Sequence, residues 1–97
     1  MHMQGQQVLV VGLGASGLAM ARWCTQAGAQ LTVLDDRAAP PHAATLAQEL
    51  PNARLLHGAL DAHALEHGPF QRICISPGLA PARVSALVDA ARAQGLW

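Results

Sequence analysis

Short apolar runs alternate with polar and helix-forming segments along the chain. The runs are VLVV at 8–11, LTVL at 31–34, RLL at 54–56 and ICI at 73–75. They are continuous rather than alternating, as is typical of strands that are covered on both faces of a parallel sheet. The pattern therefore predicts four strands, and LW at 96–97 predicts the start of a fifth.

The segments between the strands carry apolar residues at helical spacing. The residues that follow this spacing are Ala43, Leu46, Ala47 and Leu50, and then Val84, Leu87, Val88 and Ala91. Pro51 ends the first helix, Pro81 suits the first turn of the second, and Asp61 is a good N-cap for a shorter helical segment that ends by Gly68. Strands alternating with helices predict right-handed crossovers and a doubly wound parallel α/β sheet of about five strands in a single domain.

Three glycines follow the first strand in the spacing G-x-G-x-x-G, at Gly12, Gly14 and Gly17. Between a strand and a helix, the first permits a tight turn, the second lets a ligand phosphate approach the backbone, and the third permits close packing of the helix. The N-terminal amides of that helix then point at the anion. One helix face carries only small residues, which lets the helix lie close to the sheet: Gly17, Ala21, Cys24 and Gly28.

Charged residues follow the second strand at Asp35, Asp36 and Arg37. An acid at this place in an α/β nucleotide site accepts hydrogen bonds from a ribose or base. Arg37 can contact a base or pair with its acidic neighbours, and a solvated charge cluster is the alternative for all three. We expect substitution of Asp35 or Asp36 to leave the fold intact, because neither contributes buried apolar area.

The stretch SPGLAP at 76–81 leaves the fourth strand at the same carboxyl edge of the sheet, where ligands of open α/β folds bind. Pro77 and Gly78 shape a turn whose backbone amides can face a ligand, although turn formation alone also explains them. Ser16 is expected to add a hydroxyl near the phosphates.

Composition excludes several classes of function. The 97 residues are 52% hydrophobic and 12% charged with zero formal net charge, which fits one compact domain and argues against nucleic-acid binding. The chain contains no lysine, which excludes the G-x-x-x-x-G-K-[ST] phosphate loop and a lysine nucleophile or base. No apolar stretch has the length of a bilayer span, so we expect no membrane insertion and a cytoplasmic protein.

The cysteines and histidines suggest no chemistry of their own. Cys24 and Cys74 lie in apolar surroundings without a partner at metal-ligand spacing, so we interpret them as small buried hydrophobes. The histidines also show no metal-ligand spacing and no nucleophile partner, which favours surface or loop roles. They are His42, His57, His63 and His67.

VLVVGLGASGLAMARWCTQAGAQLTVLDDR followed by ICISPGLAP resembles the N-terminal domain of the Mur ligases, in particular the branch that adds D-glutamate to UDP-N-acetylmuramoyl-L-alanine. The resemblance spans nearly all of residues 1–97 and implies a Rossmann-like domain that holds the UDP part of this substrate. Its most specific element is the combination of G-L-G-x-S-G, aspartate-x-arginine and S-P-G. In peptidoglycan synthesis, such a domain is the first of three in an ATP-dependent ligase.

The resemblance also implies roles for individual positions. Those implied to lie against the diphosphate are Gly14, Ala15 and Ser16; those implied to contact uracil are Asp35, Asp36 and Arg37; and those implied to border the pocket are Ser76, Pro77 and Gly78. At position 36 some relatives have threonine, whereas this chain has Asp36, which adds a negative charge to the site. ATP and Mg belong to the central domain of such an enzyme and the amino-acid site to its C-terminal domain, so we expect no catalytic residue, cofactor or metal in this chain.

Two other interpretations remain open. The glycines and Asp35 also match the dinucleotide fingerprint of an NAD-binding domain in an oxidoreductase or regulatory subunit. The S-P-G turn favours the ligase. A domain that binds no nucleotide and serves as an interaction module is the third possibility.

Overall fold

A computed structural model describes residues 3–95, and these form one parallel sheet with helices on both faces. The strands are β1 (Gln7–Val11), β2 (Gln30–Asp35), β3 (Arg54–His57) and β4 (Arg72–Ile75). The α-helices are α1 (Ala15–Gln26), α2 (Ala43–Glu49) and α3 (Pro81–Ala93), and a 3₁₀ helix spans Ala62–His67. The strand order is β3-β2-β1-β4, and all three pairings are parallel. The doubly wound α/β fold predicted from the sequence is thus confirmed with four strands, and the predicted fifth lies outside the described residues.

The side chains of β1 alternate between two hydrophobic layers. Val8 and Val10 pack with α1 and α2 on one face, while Leu9 and Val11 pack with the 3₁₀ helix and α3 on the other. All four are fully buried, because β1 has a neighbouring strand on each side and helices over both faces. This explains why its sequence is continuously apolar.

The helix boundaries follow the sequence signals closely. Pro81 is the first residue of α3, and α2 ends just before Leu50 and Pro51. Asp61 caps the 3₁₀ helix by accepting a hydrogen bond from the His63 amide at 3.0 Å. The N-cap prediction is therefore confirmed.

Gly28 does not belong to the small face of α1, which is a correction to the sequence interpretation. The helix ends at Gln26, and Gly28 follows it with a φ of +93°. A Cβ atom there would lie 3.0 Å from the Cα of Gln4. Gly28 thus serves the turn into β2, whereas Gly17, Ala21 and Cys24 are the buried small residues of α1.

Neither cysteine forms a disulfide bond, and both lie among apolar side chains. Cys24 is fully buried, and Cys74 is half-buried and packs against the same layer. Burial, together with the neighbouring Cys74 thiol, raises the pKa of the Cys24 thiol to about 11. At neutral pH this thiol is therefore protonated and weakly nucleophilic.

Residues 3–95 contain no helix that is long and apolar enough to cross a membrane. Over the same residues, no group of three His, Cys, Asp or Glu side chains is placed to hold a metal ion.

Candidate functional site

Three loops meet at the carboxyl edge of the sheet and enclose a cavity of about 240 Å³. They follow β1, β2 and β4, the strands on which the sequence places its candidate residues. The lining includes Gly12, Gly14, Arg37, Ser76, Gly78 and Arg83. The parallel sheet thus brings together residues that are more than sixty positions apart in the chain.

Gly12 forms the tight turn that the sequence predicts. Its φ is +92°, a region that favours glycine, and its amide donates to the Leu34 carbonyl at 2.7 Å. A Cβ atom on Gly12 would lie 3.1 Å from both Ser76 Cβ and Leu79 Cδ1. The turn after β4 therefore packs directly on the glycine turn.

Gly17 is required by a contact between two backbone segments. A Cβ atom at this position would lie 1.8 Å from the Gly12 carbonyl oxygen. The sequence predicts that Gly17 allows α1 to pack on a strand, but the tightest contact is with the glycine turn. Its missing side chain lets α1 start directly behind that turn.

Gly14 leaves open space at the start of α1. It is the N-cap residue, its φ is −89°, no side chain caps the helix, and a Cβ atom there would meet nothing within 4 Å. The first amides of an α-helix have no acceptor within the helix. Those of Ala15, Ser16 and Gly17 can therefore bind an anion, and the helix dipole favours a negative charge there.

Asp35 is buried and connects the glycine turn to the end of β2. Its side chain is 2% exposed. Oδ2 accepts from the Leu13 amide at 2.8 Å and from Arg37 Nη2 at 2.7 Å, while Oδ1 accepts from the Arg37 amide at 2.8 Å and from Arg37 Nε at 2.9 Å. The Arg37 guanidinium, helped by the Leu13 and Arg37 amides, holds the pKa of this carboxyl well below its usual range despite burial.

These contacts change what can be expected of Asp35. A carboxylate has about four lone-pair sites, and all of them have donors from Leu13 and Arg37. A base or ribose can bond to Asp35 only by replacing one of these donors. The expectation that the fold tolerates any substitution here also has to be revised, because removal of the carboxylate leaves the Leu13 amide without its partner.

Asp36 forms an ion pair that crosses from the loop after β2 to α3. Its carboxylate accepts from Nη2 of Arg83, in the first turn of α3, and its carbonyl oxygen lies 3.2 Å from His57 Nε2. Arg83 was missed in the sequence interpretation. Its position two residues after Pro81 could have indicated it. The helix that follows the S-P-G turn has to begin at the same edge of the sheet, so its first turn lies near the site.

One backbone hydrogen bond joins the S-P-G turn to β1, and a second closes the turn itself. The Ser76 amide donates to the Val11 carbonyl at 3.0 Å, and the Ser76 carbonyl accepts from the Leu79 amide at 3.1 Å. Ser76 is buried, whereas Pro77 and Gly78 are exposed. The turn therefore lies beside the glycine turn, and its exposed tip borders the cavity.

A larger cavity of about 650 Å³ lies at the opposite, amino edge of the sheet. Its charged side chains are already paired: Glu49 binds Arg22 at 2.7 Å, and Arg54 donates to Thr32 Oγ1 at 3.0 Å. Ligands of open α/β sheets bind outside the carboxyl ends of the strands. The smaller cavity, with its uncapped helix, is therefore the candidate site.

Comparison with known proteins identifies the family of the chain. The family described as Mur ligase MurD-like, N-terminal domain, matches residues 6–96. A Polaromonas protein named UDP-N-acetylmuramoylalanine–D-glutamate ligase is 52% identical over 95 residues, which are 98% of this chain and 16% of that protein. A protein of the same name from Albidiferax ferrireducens is 48% identical over 94 residues, which are 97% of this chain and 19% of that protein.

The fold also matches a solved structure. The crystal structure of UDP-N-acetylmuramate:L-alanyl-gamma-D-glutamyl-meso-diaminopimelate ligase from Neisseria meningitides superposes with a TM-score of 0.71 at 19% identity, covering 95% of this chain and 27% of that one. By length, this chain spans less than a fifth of each of the two curated relatives described above. On the family match and these identities, the chain belongs to the MurD-like N-terminal domain family of the Mur ligases.

Proposed function

We propose that this chain binds the uridine and diphosphate part of UDP-N-acetylmuramoyl-L-alanine, as the N-terminal domain of the ATP-dependent ligase that adds D-glutamate in peptidoglycan precursor synthesis. The observation that carries the proposal is the uncapped start of α1 beside Arg37 and the S-P-G turn around one cavity. The identity of the proposed substrate comes from the curated relatives, which are named for that ligase activity. A cytoplasmic location is part of the same proposal.

The diphosphate is assigned to the open space at Gly14. The amides of Ala15 and Ser16 face no side-chain cap, so phosphate oxygens can accept from them as they do at other helix N-termini. Since a Cβ atom at Gly14 would meet nothing within 4 Å, the glycine preserves room for the phosphate rather than relieving a contact with protein. The Ser16 hydroxyl lies in the same first turn and is exposed.

The uridine is assigned to the region of Arg37 and the S-P-G turn. Asp35 holds the Arg37 guanidinium through two side-chain hydrogen bonds, at 2.9 and 2.7 Å. This fixes the planar group, and a fixed guanidinium can stack on a base or donate from its remaining nitrogen. Asp35 then acts on the ligand through Arg37, and Ser76, Pro77 and Gly78 border the base.

The chemistry of amide-bond formation is assigned to the other two domains of such a ligase. This chain has no lysine-bearing phosphate loop, and its described residues bring no acidic cluster together for a metal ion. Following the resemblance to the Mur ligases, we place ATP and Mg in the central domain. The chain's own contribution is to bind and orient the nucleotide end of the substrate.

An NAD-binding role is less well supported by the geometry. In dinucleotide-binding domains the acid after the second strand accepts hydrogen bonds from the ribose 2′-hydroxyl. Here the equivalent oxygens of Asp35 already bind Leu13 and Arg37. A ribose would have to break one of these bonds.

Calorimetric titration of the 97-residue chain with UDP, UDP-N-acetylmuramoyl-L-alanine and NAD tests the proposal. We expect both uridine ligands to bind more tightly than NAD, by about tenfold, which corresponds to one well-made hydrogen bond to a charged group. Their affinity is expected to be modest, because the central domain would cover part of the diphosphate. Tighter binding of NAD would instead support the oxidoreductase interpretation.

A further inference from the structure

Two carboxylate–guanidinium pairs border the cavity, and they differ in how completely the guanidinium is used. Arg37 gives both Nε and Nη2 to Asp35. Arg83 gives only Nη2 to Asp36, and over residues 3–95 its Nε and Nη1 have no hydrogen-bond partner. Arg83 therefore keeps donors available for a ligand.

Arg83 belongs to the lining of the candidate site. It lies in the first turn of α3 and lines the same cavity as Gly14 and Ser76. The cavity has a volume of only about 240 Å³, so a phosphate bound at Gly14 would share this small space with the Arg83 side chain. That side chain is 49% exposed, so protein atoms leave about half of it open to solvent or ligand.

The pair also explains how an acid is tolerated at position 36. An unpaired carboxylate at the rim would repel a diphosphate. Pairing with Arg83 neutralises that charge and holds the guanidinium at the rim. The planar group of arginine suits phosphate oxygens, to which it can donate two parallel bonds.

We propose that Arg83 is a further binding residue of this site, whose guanidinium donates hydrogen bonds to a phosphate oxygen of the UDP-bearing ligand while Asp36 orients it. This inference rests on the proposed function, because it requires a nucleoside diphosphate in the cavity. It adds a contact from α3 to those from the glycine turn and the end of β2.

The test compares Arg83→Gln with wild type for two ligands, UDP and uridine, in NMR titrations that also reach weak affinities. We expect Arg83→Gln to lower the affinity for UDP about tenfold, at the low end for a hydrogen bond to a charged group because the side chain is half-exposed. Affinity for uridine, which has no phosphate, should not change. Arg83→Lys keeps the charge without the planar fork and should fall between wild type and Arg83→Gln.

Arg92→Gln is the matched control, because it removes the same charge from the exposed last turn of α3. It should leave both affinities unchanged. If Arg83→Gln binds UDP as tightly as wild type, the inference is wrong and the proposed function stands. An equal loss for UDP and uridine also overturns the phosphate contact, in favour of a positioning role. A wild-type chain that binds no UDP overturns the proposed function and, with it, this inference.

Discussion

Gly17→Ala is expected to prevent the chain from adopting this structure, or to leave it largely unfolded at room temperature. The new Cβ atom would lie 1.8 Å from the Gly12 carbonyl oxygen and 2.8 Å from its carbonyl carbon. Both are backbone atoms, so no side-chain rotation relieves the contact, and α1 or the glycine turn has to move. We expect a loss of about 3 kcal/mol or more in the free energy of unfolding, measured by urea denaturation.

Gly14→Ala provides the control in the same motif. Its φ of −89° suits any residue, and the added methyl group meets no protein atom within 4 Å. We expect stability to change by no more than about 0.5 kcal/mol. UDP affinity should fall, because the methyl group occupies the space assigned to a phosphate. Wild-type stability for Gly17→Ala would show that the start of α1 is not packed on the glycine turn as described.

Asp35→Asn is expected to lower the free energy of unfolding at pH 7. It should also make that free energy fall less between pH 7 and pH 3 than it does in wild type. The carboxylate is buried and bonded to the Leu13 amide and to Arg37, and hydrogen bonds to charged groups are worth about 1.5–3 kcal/mol. We expect the free energy of unfolding of Asp35→Asn to be about 2 kcal/mol lower than that of wild type at neutral pH.

The sign of the pH effect follows from the lowered pKa of Asp35. A carboxyl whose pKa is lower in the folded than in the unfolded chain binds protons preferentially when unfolded. Its stabilisation is therefore complete above the unfolded pKa of about 4 and is lost as the pH falls below it. Urea denaturation at pH 7 and at pH 3 should show the gap between wild type and Asp35→Asn narrowing in acid.

Asp89→Asn is the control for this pair of measurements, because Asp89 is exposed on α3. It should follow the wild-type pH dependence. A gap between wild type and Asp35→Asn that is equally large at pH 3 and pH 7 would contradict the assignment of a charged, strongly bonded carboxylate at position 35.

The sheet could be predicted from the sequence because its signals are local. Continuous apolar runs mark β1 and β2, and Pro81 marks the start of α3. The convergence of the three loops also followed, since the carboxyl ends of parallel strands share one edge. What these signals cannot give is the closest approach between two loops. The sequence therefore predicts that Gly17 permits close packing of the helix, but it does not indicate that the nearest atom is the Gly12 carbonyl oxygen.

The partners of the charged residues were harder to predict for the same reason. The Leu13 amide lies 22 positions from Asp35, and Arg83 lies 47 positions from Asp36. Nothing in the local sequence indicates that either pair is within hydrogen-bond distance. Asp35 consequently resembled a free ligand-binding acid in the sequence, whereas in the structure its lone pairs are occupied by protein donors.

The central claim, that the cavity at the carboxyl edge binds the nucleotide end of the substrate, is tested most directly by mapping UDP onto the amide resonances of the 97-residue chain. We predict that UDP shifts the amides of Ala15, Ser16 and Gly17 most strongly, together with those of Arg37 and Gly78. The amino-edge residues Asn52 and Ala53, which line the larger cavity, should not respond. Shifts confined to Asn52, Ala53 and their neighbours, or no shifts at saturating UDP, would contradict the account.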